Sequence, residues 1–135
     1  MEKAKYALGL DFGTNSVRTL IVDVRNGREV GTAVHNYGSG EAGIILDRRD
    51  PNLARQNPAD WLRGIEVSVK AAIRQAKKAI PRFDPADIIG IGVDTTGSTP
   101  LPVDRDGAPL AFKKEFRRNP NAMAWLWKDH TGYAE

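Results

Sequence analysis

Tyr6-Ala7-Leu8-Gly9-Leu10-Asp11-Phe12-Gly13-Thr14-Asn15-Ser16-Val17-Arg18-Thr19-Leu20-Ile21-Val22-Asp23-Val24 is the stretch on which the fold turns. It holds two β-rich runs, Tyr6 to Leu10 and Val17 to Val24, joined by Asp11 to Ser16, a hairpin with glycine in its turn. An Asn26-Gly27 turn signal follows, then a third candidate strand, Glu29 to Asn36, so the opening third reads as an antiparallel meander. Gly38 to Asn57 is polar, with only Ile44, Ile45 and Leu46 to bury, and is expected to be a loop with one short strand.

Asn57-Pro58-Ala59-Asp60 starts a helix: Asn at the cap, Pro where its missing N–H costs nothing, an acid in the first turn. Trp61, Ile65, Val69, Ala72, Ile73, Ala76 and Ile80 then recur three and four apart and predict the buried stripe, up to Pro81. Arg63, Lys70, Arg74, Lys77 and Lys78 lie mostly off that stripe, as a solvated face. Ile88 to Val93 is nearly unbroken apolar and predicts a strand covered on both faces. The order βββ, α, β predicts an α/β mixed sheet with a crossover helix. Thr99 to Val103 and Leu110 to Phe112, around Asp104-Arg105-Asp106-Gly107, predict a further hairpin. Asn119-Pro120 predicts a last helix carrying Met123, Trp125, Leu126 and Trp127.

Composition narrows the function. The chain has 135 residues, 41% hydrophobic and 27% charged, enough apolar material for one domain or part of one. Twenty Lys and Arg against 17 Asp and Glu leave +3, so charge does not point to nucleic acid, and only an isoelectric point near 9.3 suggests it. The absence of Cys excludes disulfides, thiolate metal sites and thiol catalysis, and favours a cytoplasmic address. No apolar run approaches the roughly 20 residues of a membrane-spanning helix, so no membrane partner is expected. The Met1 to Tyr6 start lacks the apolar core of a secretory signal, and the mature chain is expected to begin here.

Chemistry concentrates in three segments. In Asp11-Phe12-Gly13-Thr14-Asn15-Ser16-Val17-Arg18, an acid ends a buried strand and a glycine with small polar residues follows. Such a loop gathers N–H groups and hydroxyls around one point, which suits a phosphate. Asp11 there can hold Mg²⁺ through water and Arg18 can add charge; a plain hairpin with local Asx bonds fits the same residues. Gly92-Val93-Asp94-Thr95-Thr96-Gly97-Ser98-Thr99 repeats the design, as a second wall of one cleft or as an Asx turn. Its glycines do not form the dinucleotide fingerprint, and no Gly-Lys-Ser/Thr loop exists in the chain. In Trp125-Leu126-Trp127-Lys128-Asp129-His130-Thr131, helical spacing would align Trp125 with Asp129 and Trp127 with Thr131. An aromatic beside a carboxylate and an ammonium suits a polyol, and a core-packed helix end is the plainer explanation. His35 and His130 are too few to argue for a metal site.

Taken together, Gly9 to Ser16, Gly92 to Pro102, and Asn119-Pro120-Asn121-Ala122-Met123 leading into Trp127-Lys128-Asp129-His130-Thr131 resemble the amino-terminal part of the FGGY carbohydrate kinases, and among them the ribulokinases. The resemblance spans essentially the whole chain and implies an actin-like, ribonuclease H-like fold, with residues 1–135 the amino-terminal portion of the first sugar-kinase domain. It implies ATP and Mg²⁺ as cofactors and transfer of the γ-phosphoryl group to L-ribulose or a related ketopentose. Asp11, Gly13, Thr14, Asn15, Ser16 and Arg18 would then form the phosphate and Mg²⁺ side, with Asp11 the metal-side acid. Thr96, Gly97, Ser98, Trp127, Lys128 and Asp129 would lie toward the sugar. Family members are several times longer. Their catalytic base and adenosine-binding domain lie beyond Glu135, so the missing carboxy-terminal part is an expected partner and the 135 residues alone are expected to be inactive. Alternatives are a non-catalytic actin-like assembly module whose exposed surface drives self-association, and another FGGY kinase acting on xylulose or glycerol.

Overall fold

The computed structural model describes residues 3–135. Among these described residues, seven strands and one long helix run in the order β1 (Tyr6–Phe12), β2 (Ser16–Asp23), β3 (Glu29–Asn36), β4 (Ile45–Asp47), β5 (Asp50–Gln56), α1 (Pro58–Ala79), β6 (Ile88–Thr95) and β7 (Ala124–Trp125). The first sheet has the order β3-β2-β1-β6, antiparallel except for the parallel β1–β6 pair that α1 connects. The expected mixed sheet with a crossover helix is therefore present. A second sheet, β4-β5-β7, stands beside it.

Strand alternation sorts the faces of the main sheet. Leu8 opposite Ile21, and Phe12 opposite Val17, look toward α1, with Leu8, Ile21 and Val17 at most 5% exposed. Asn57 caps the helix by accepting the Ala59 N–H at 3.0 Å, Pro58 opens it, and Lys77 and Lys78 complement its carboxy-terminal dipole. The row of α1 that touches the sheet is Gly64, Ser68, Ala72 and Ala76. Trp61, Ile65, Val69 and Ile73, expected at the centre of the buried stripe, lie half-buried beside that row. Close approach explains the displacement. A Cβ on Gly64 would come within 2.5 Å of Val17 Cγ1, and one on Gly31 would drive into the Ala72 carbonyl. Thr19 and Ser68 share a buried hydroxyl bond of 2.7 Å at the same seam. Only small side chains let helix and sheet meet at this distance.

Four expectations are corrected. Gly38 to Asn57 is not a loop with one strand: β5 is the central strand of the second sheet, and its Leu53, Ala54, Arg55 and Gln56 are all buried. Its polar side chains hide a strand whose two faces are both covered. The segment after Asn119 forms one 3-10 turn, Pro120–Ala122, and then β7, because Ala124 and Trp125 pair with Gln56 and Arg55. Between Thr99 and Phe112 only the bridge Val103–Pro109 and a 3-10 turn, Leu110–Phe112, exist. Pro100, Pro102 and Pro109 lack the N–H groups a ladder needs. Finally, β6 is the uncovered edge of its sheet, with Ile89, Ile91 and Val93 exposed by 63%, 67% and 62%.

Two measurements check this packing. Gly31→Ala is expected to lower stability by about 1–3 kcal/mol, since the obstructing atom is backbone and cannot rotate away; urea unfolding reads it. Asp23, 5% exposed, is gripped by Arg25 through Nη2 at 2.6 Å, Nε at 3.0 Å and the backbone N–H at 3.0 Å. The Arg25 side chain foremost, then its N–H, hold the Asp23 carboxyl at about 2 instead of 3.8. A depressed carboxyl stabilises fully above its unfolded value and loses that contribution as pH falls through its folded one. Asp23→Asn should therefore flatten the acid limb of the stability curve between 3.8 and about 2 while leaving the slope near neutrality unchanged.

Candidate functional site

The site forms where β1 and β6 end side by side. Parallel register sets Asp11 beside Asp94 and Gly9 beside Gly92, and alternation turns all four away from α1. Arg18 faces Asp11 across the β1–β2 pair, its Nη1 3.7 Å from Asp11 Oδ2, and both side chains are more than half exposed. An open cavity of about 470 Å³ lies over these residues, between Leu10 and Leu20 and the glycine floor. Its charged groups remain accessible.

The turn after Asp11 is largely engaged with the protein itself. Gly13 N–H closes on Ser16 O at 2.8 Å, and Ser16 opens β2 opposite Asn36. Asn15 Nδ2 donates to Ala42 O at 2.7 Å while Asn15 O accepts the Tyr37 N–H at 2.9 Å. Tyr37 lies beneath, 4% exposed; burial, then Asp60 and Asp11, push its hydroxyl up to about 12. Thr14 O accepts from Gln56 Nε2 at 2.8 Å, and Thr14 Oγ1 accepts from Trp127 Nε1 at 3.1 Å.

The second loop joins the first through Thr96 N–H, which donates to Phe12 O at 3.0 Å. Asp94 Oδ1 accepts the N–H of the next residue, Thr95, at 3.0 Å, one residue short of the i to i+2 bond of an Asx turn. Gly97 and Ser98 are exposed, and Ser98 adopts φ 55°, a left-handed conformation that costs a non-glycine residue roughly 1 kcal/mol. A second cavity, about 300 Å³, opens between Phe12, Gly13, Gln56, Thr95, Thr96, Thr99 and the first turns of α1 at Trp61, Leu62 and Ile65. Trp125 N–H, donating to Pro100 O at 2.9 Å, binds the third segment to this loop.

Within the third segment the residues part company. Trp127 is 56% exposed beside Thr14, and Lys128 is half-buried. Asp129 is directed inward, its side chain 4% exposed. Its Oδ2 accepts the Ala54 N–H at 2.8 Å and lies 3.0 Å from Arg55 Nε. Its Oδ1 accepts the Thr131 N–H at 3.1 Å and hydroxyl at 2.6 Å. Burial alone would raise the Asp129 carboxyl, but these donors and the Arg55 charge outweigh it and hold the group below its ordinary value. With no helix here, Trp125 does not share a face with Asp129 as the spacing suggested; it lies under the Arg55 guanidinium, 3.4 Å from carbon to ring centroid.

The three segments thus converge, with Asp11, Arg18 and Asp94 on one side of the sheet end and Thr14, Thr96 and Trp127 grouped at the turns. Asp129 serves the second sheet. Arg55 and Gln56 escaped the sequence reading, and their only signal was two polar residues immediately before the Asn57-Pro58 cap. Among the described residues no three His, Cys, Asp or Glu gather as a metal cage.

Comparison with known proteins follows the same lines. A ribulokinase of Vibrio parahaemolyticus is 41% identical over 131 residues, covering 97% of this chain and 22% of its own length. A ribulokinase of Geobacillus thermodenitrificans is 36% identical over 135 residues, covering 97% and 23%. This chain therefore spans under a quarter of the length of the curated relatives it matches. The crystal structure of a gluconate kinase from Lactobacillus acidophilus superposes with a TM-score of 0.70 at 17% identity, covering 98% of this chain and 21% of its own; that likeness concerns the fold alone. Residues 6–125 match the amino-terminal domain of the FGGY family of carbohydrate kinases, and with the actin-like, ribonuclease H-like sheet in place, the chain belongs to that family.

Proposed function

We propose that residues 1–135 form the amino-terminal, sugar-side portion of an ATP-dependent ribulokinase, whose whole parent converts L-ribulose to L-ribulose 5-phosphate in L-arabinose catabolism. The observation that carries the choice of sugar is the 41% identity to a ribulokinase across nearly the whole chain. The gluconate kinase neighbour has the same sheet at 17% identity, so fold says nothing about the acceptor. Xylulose or glycerol is the alternative acceptor within the family.

Asp11 fits the metal-side role by its chemistry: a half-exposed carboxylate over an open cavity, with Arg18 across the strand pair, Asp94 beside it and the glycine floor leaving room. Mg²⁺ is held through one or two carboxylates, waters and substrate phosphates, not by a protein cage. Bound there with ATP, it supplies neutralisation of phosphate charge. Arg18 adds a second cation across the strand pair, and the Gly13 turn sets the direction in which the Thr14 and Asn15 backbone meets the phosphates. Toward the sugar, the exposed Trp127 ring offers a platform for the C–H face of the pentulose, and Thr96, Gly97, Ser98 and Lys128 are proposed to supply polar contacts to its hydroxyls. Asp129 contributes by shaping that platform, since its oxygens already serve Ala54, Arg55 and Thr131.

The acceptor hydroxyl must lose a proton, and the base that takes it comes from a part of the parent beyond these residues, as does the adenosine-binding domain. The uncovered β6 edge, with Ile89, Ile91 and Val93 open to solvent, is a surface on which that remainder packs. The same edge favours, as a second reading, a non-catalytic assembly module that self-associates; concentration-independent monomeric sedimentation would exclude it. Among the described residues no helix is long and apolar enough to cross a membrane, and dependence on ATP suits a cytoplasmic setting.

The full-length parent, supplied with ATP and Mg²⁺ and offered L-ribulose, xylulose and glycerol separately, is expected to phosphorylate L-ribulose best. Turnover of xylulose or glycerol with none of L-ribulose would overturn the assignment. The 135-residue chain should show no turnover in the same coupled assay, and sustained activity from it would refute the division of labour described here.

A further inference from the structure

Arg55 and Gln56 are adjacent on β5, each 1% exposed, and neither lies in the three segments singled out in the sequence. Both are poor choices for stability alone. Gln56 Oε1 and Arg55 Nη1 are buried atoms without a hydrogen-bond partner, where an apolar side chain would leave nothing unpaired. What each residue gains is a long-range contact. Gln56 Nε2 donates to Thr14 O at 2.8 Å, and because a carbonyl cannot donate, that bond fixes which way the amide points. Arg55 stacks on Trp125, pairs with Asp129 and donates through Nη2 to Thr131 Oγ1 at 3.2 Å. Trp127 lies midway between the anchored residues 125 and 129.

We infer that Arg55 and Gln56 are positioning residues: Gln56 holds Thr14, Arg55 holds the segment bearing Trp127, and together they set the 3.1 Å bond between Trp127 Nε1 and Thr14 Oγ1. The inference takes its purpose from the sugar-site proposal above. An indole 56% exposed is not oriented by burial, so its ring plane is fixed by this one bond and by the two anchors flanking it. A platform for a small polyol needs that fixed plane, because stacking falls away with ring angle. Arg55 and Gln56 do this from beneath, without touching the ligand.

Exchange of the Trp127 indole proton in the ¹⁵N-labelled 135-residue chain tests this, with the signal assigned among the three tryptophans by Trp127→Phe. The hydrogen bond is expected to slow exchange roughly fivefold relative to a free indole. Thr14→Val removes the acceptor and should restore fast exchange. Gln56→Met and Arg55→Lys should each do the same while the far-ultraviolet circular dichroism stays unchanged. A purely structural role would lower the melting temperature of both variants and leave Trp127 exchange unaltered below the transition; that result overturns the inference. So does an unaffected Thr14→Val, since there would be no contact to position. If Arg55→Lys does not fold, Thr131→Val, which removes the Arg55 Nη2 acceptor, takes its place. The two proposals fail separately. A parent inactive on L-ribulose leaves the exchange pattern intact, whereas unchanged exchange in the variants removes the positioning role from an active kinase.

Discussion

A guanidinium buried at 1% exposure must find its counter-charge or the chain will not keep it there. Arg55 finds it in Asp129, and most of the second sheet and the site follow from that pairing. The two residues are 74 apart in sequence, so closing them draws the whole segment after Asn119 across the sheet. β7 then pairs with β5, Trp125 slides under the guanidinium, and Trp127 arrives at Thr14. Removing one partner of such a pair costs about 3–5 kcal/mol, because the other is left charged and dry. The pair thus specifies one arrangement of the carboxy-terminal segment more than it adds net stability.

Against this, the main sheet depends on shape. Gly31, Gly64, Ala72 and Ala76 let α1 lie close on β2 and β3, and Thr19 with Ser68 satisfies the polar atoms caught at the contact. The frame so formed is tied down by hydrogen bonds where β1 and β2 turn, at the loop proposed above to meet phosphate. It is open at β6, where Asp94 and the glycines stand beside Asp11. Rigidity and exposure are divided between the two sides of one strand pair.

Much of this was legible in the residues. Alternation in Tyr6 to Leu10 and Val17 to Val24, and the Asn57-Pro58 cap, give β1 to β3 and α1 to within a residue or two. The loops at Asp11 and Asp94 announce themselves as acids ending strands. The remainder was hidden for physical reasons. Helical spacing cannot reveal that small residues, not the large Trp61 and Ile65, meet the sheet, because the helix–sheet distance is a tertiary quantity. A buried Arg55 reads as surface until its partner is known. Asp129 lies in a motif that resembles a ligand-facing one, and only its contacts with Ala54, Arg55 and Thr131 show that its carboxylate is spent inside the protein. Ile88 to Val93 is apolar enough for a strand covered on both faces, but composition cannot say that no neighbour within these residues covers it.

That last strand has a consequence for biosynthesis. An uncovered apolar edge of this kind offers a ready template for intermolecular zippering during synthesis, a route to inclusion bodies. Gly90 and Gly92 alternate with the apolar residues along it, and glycine is a poor strand former. They temper the pairing that the sticky stretch would otherwise invite.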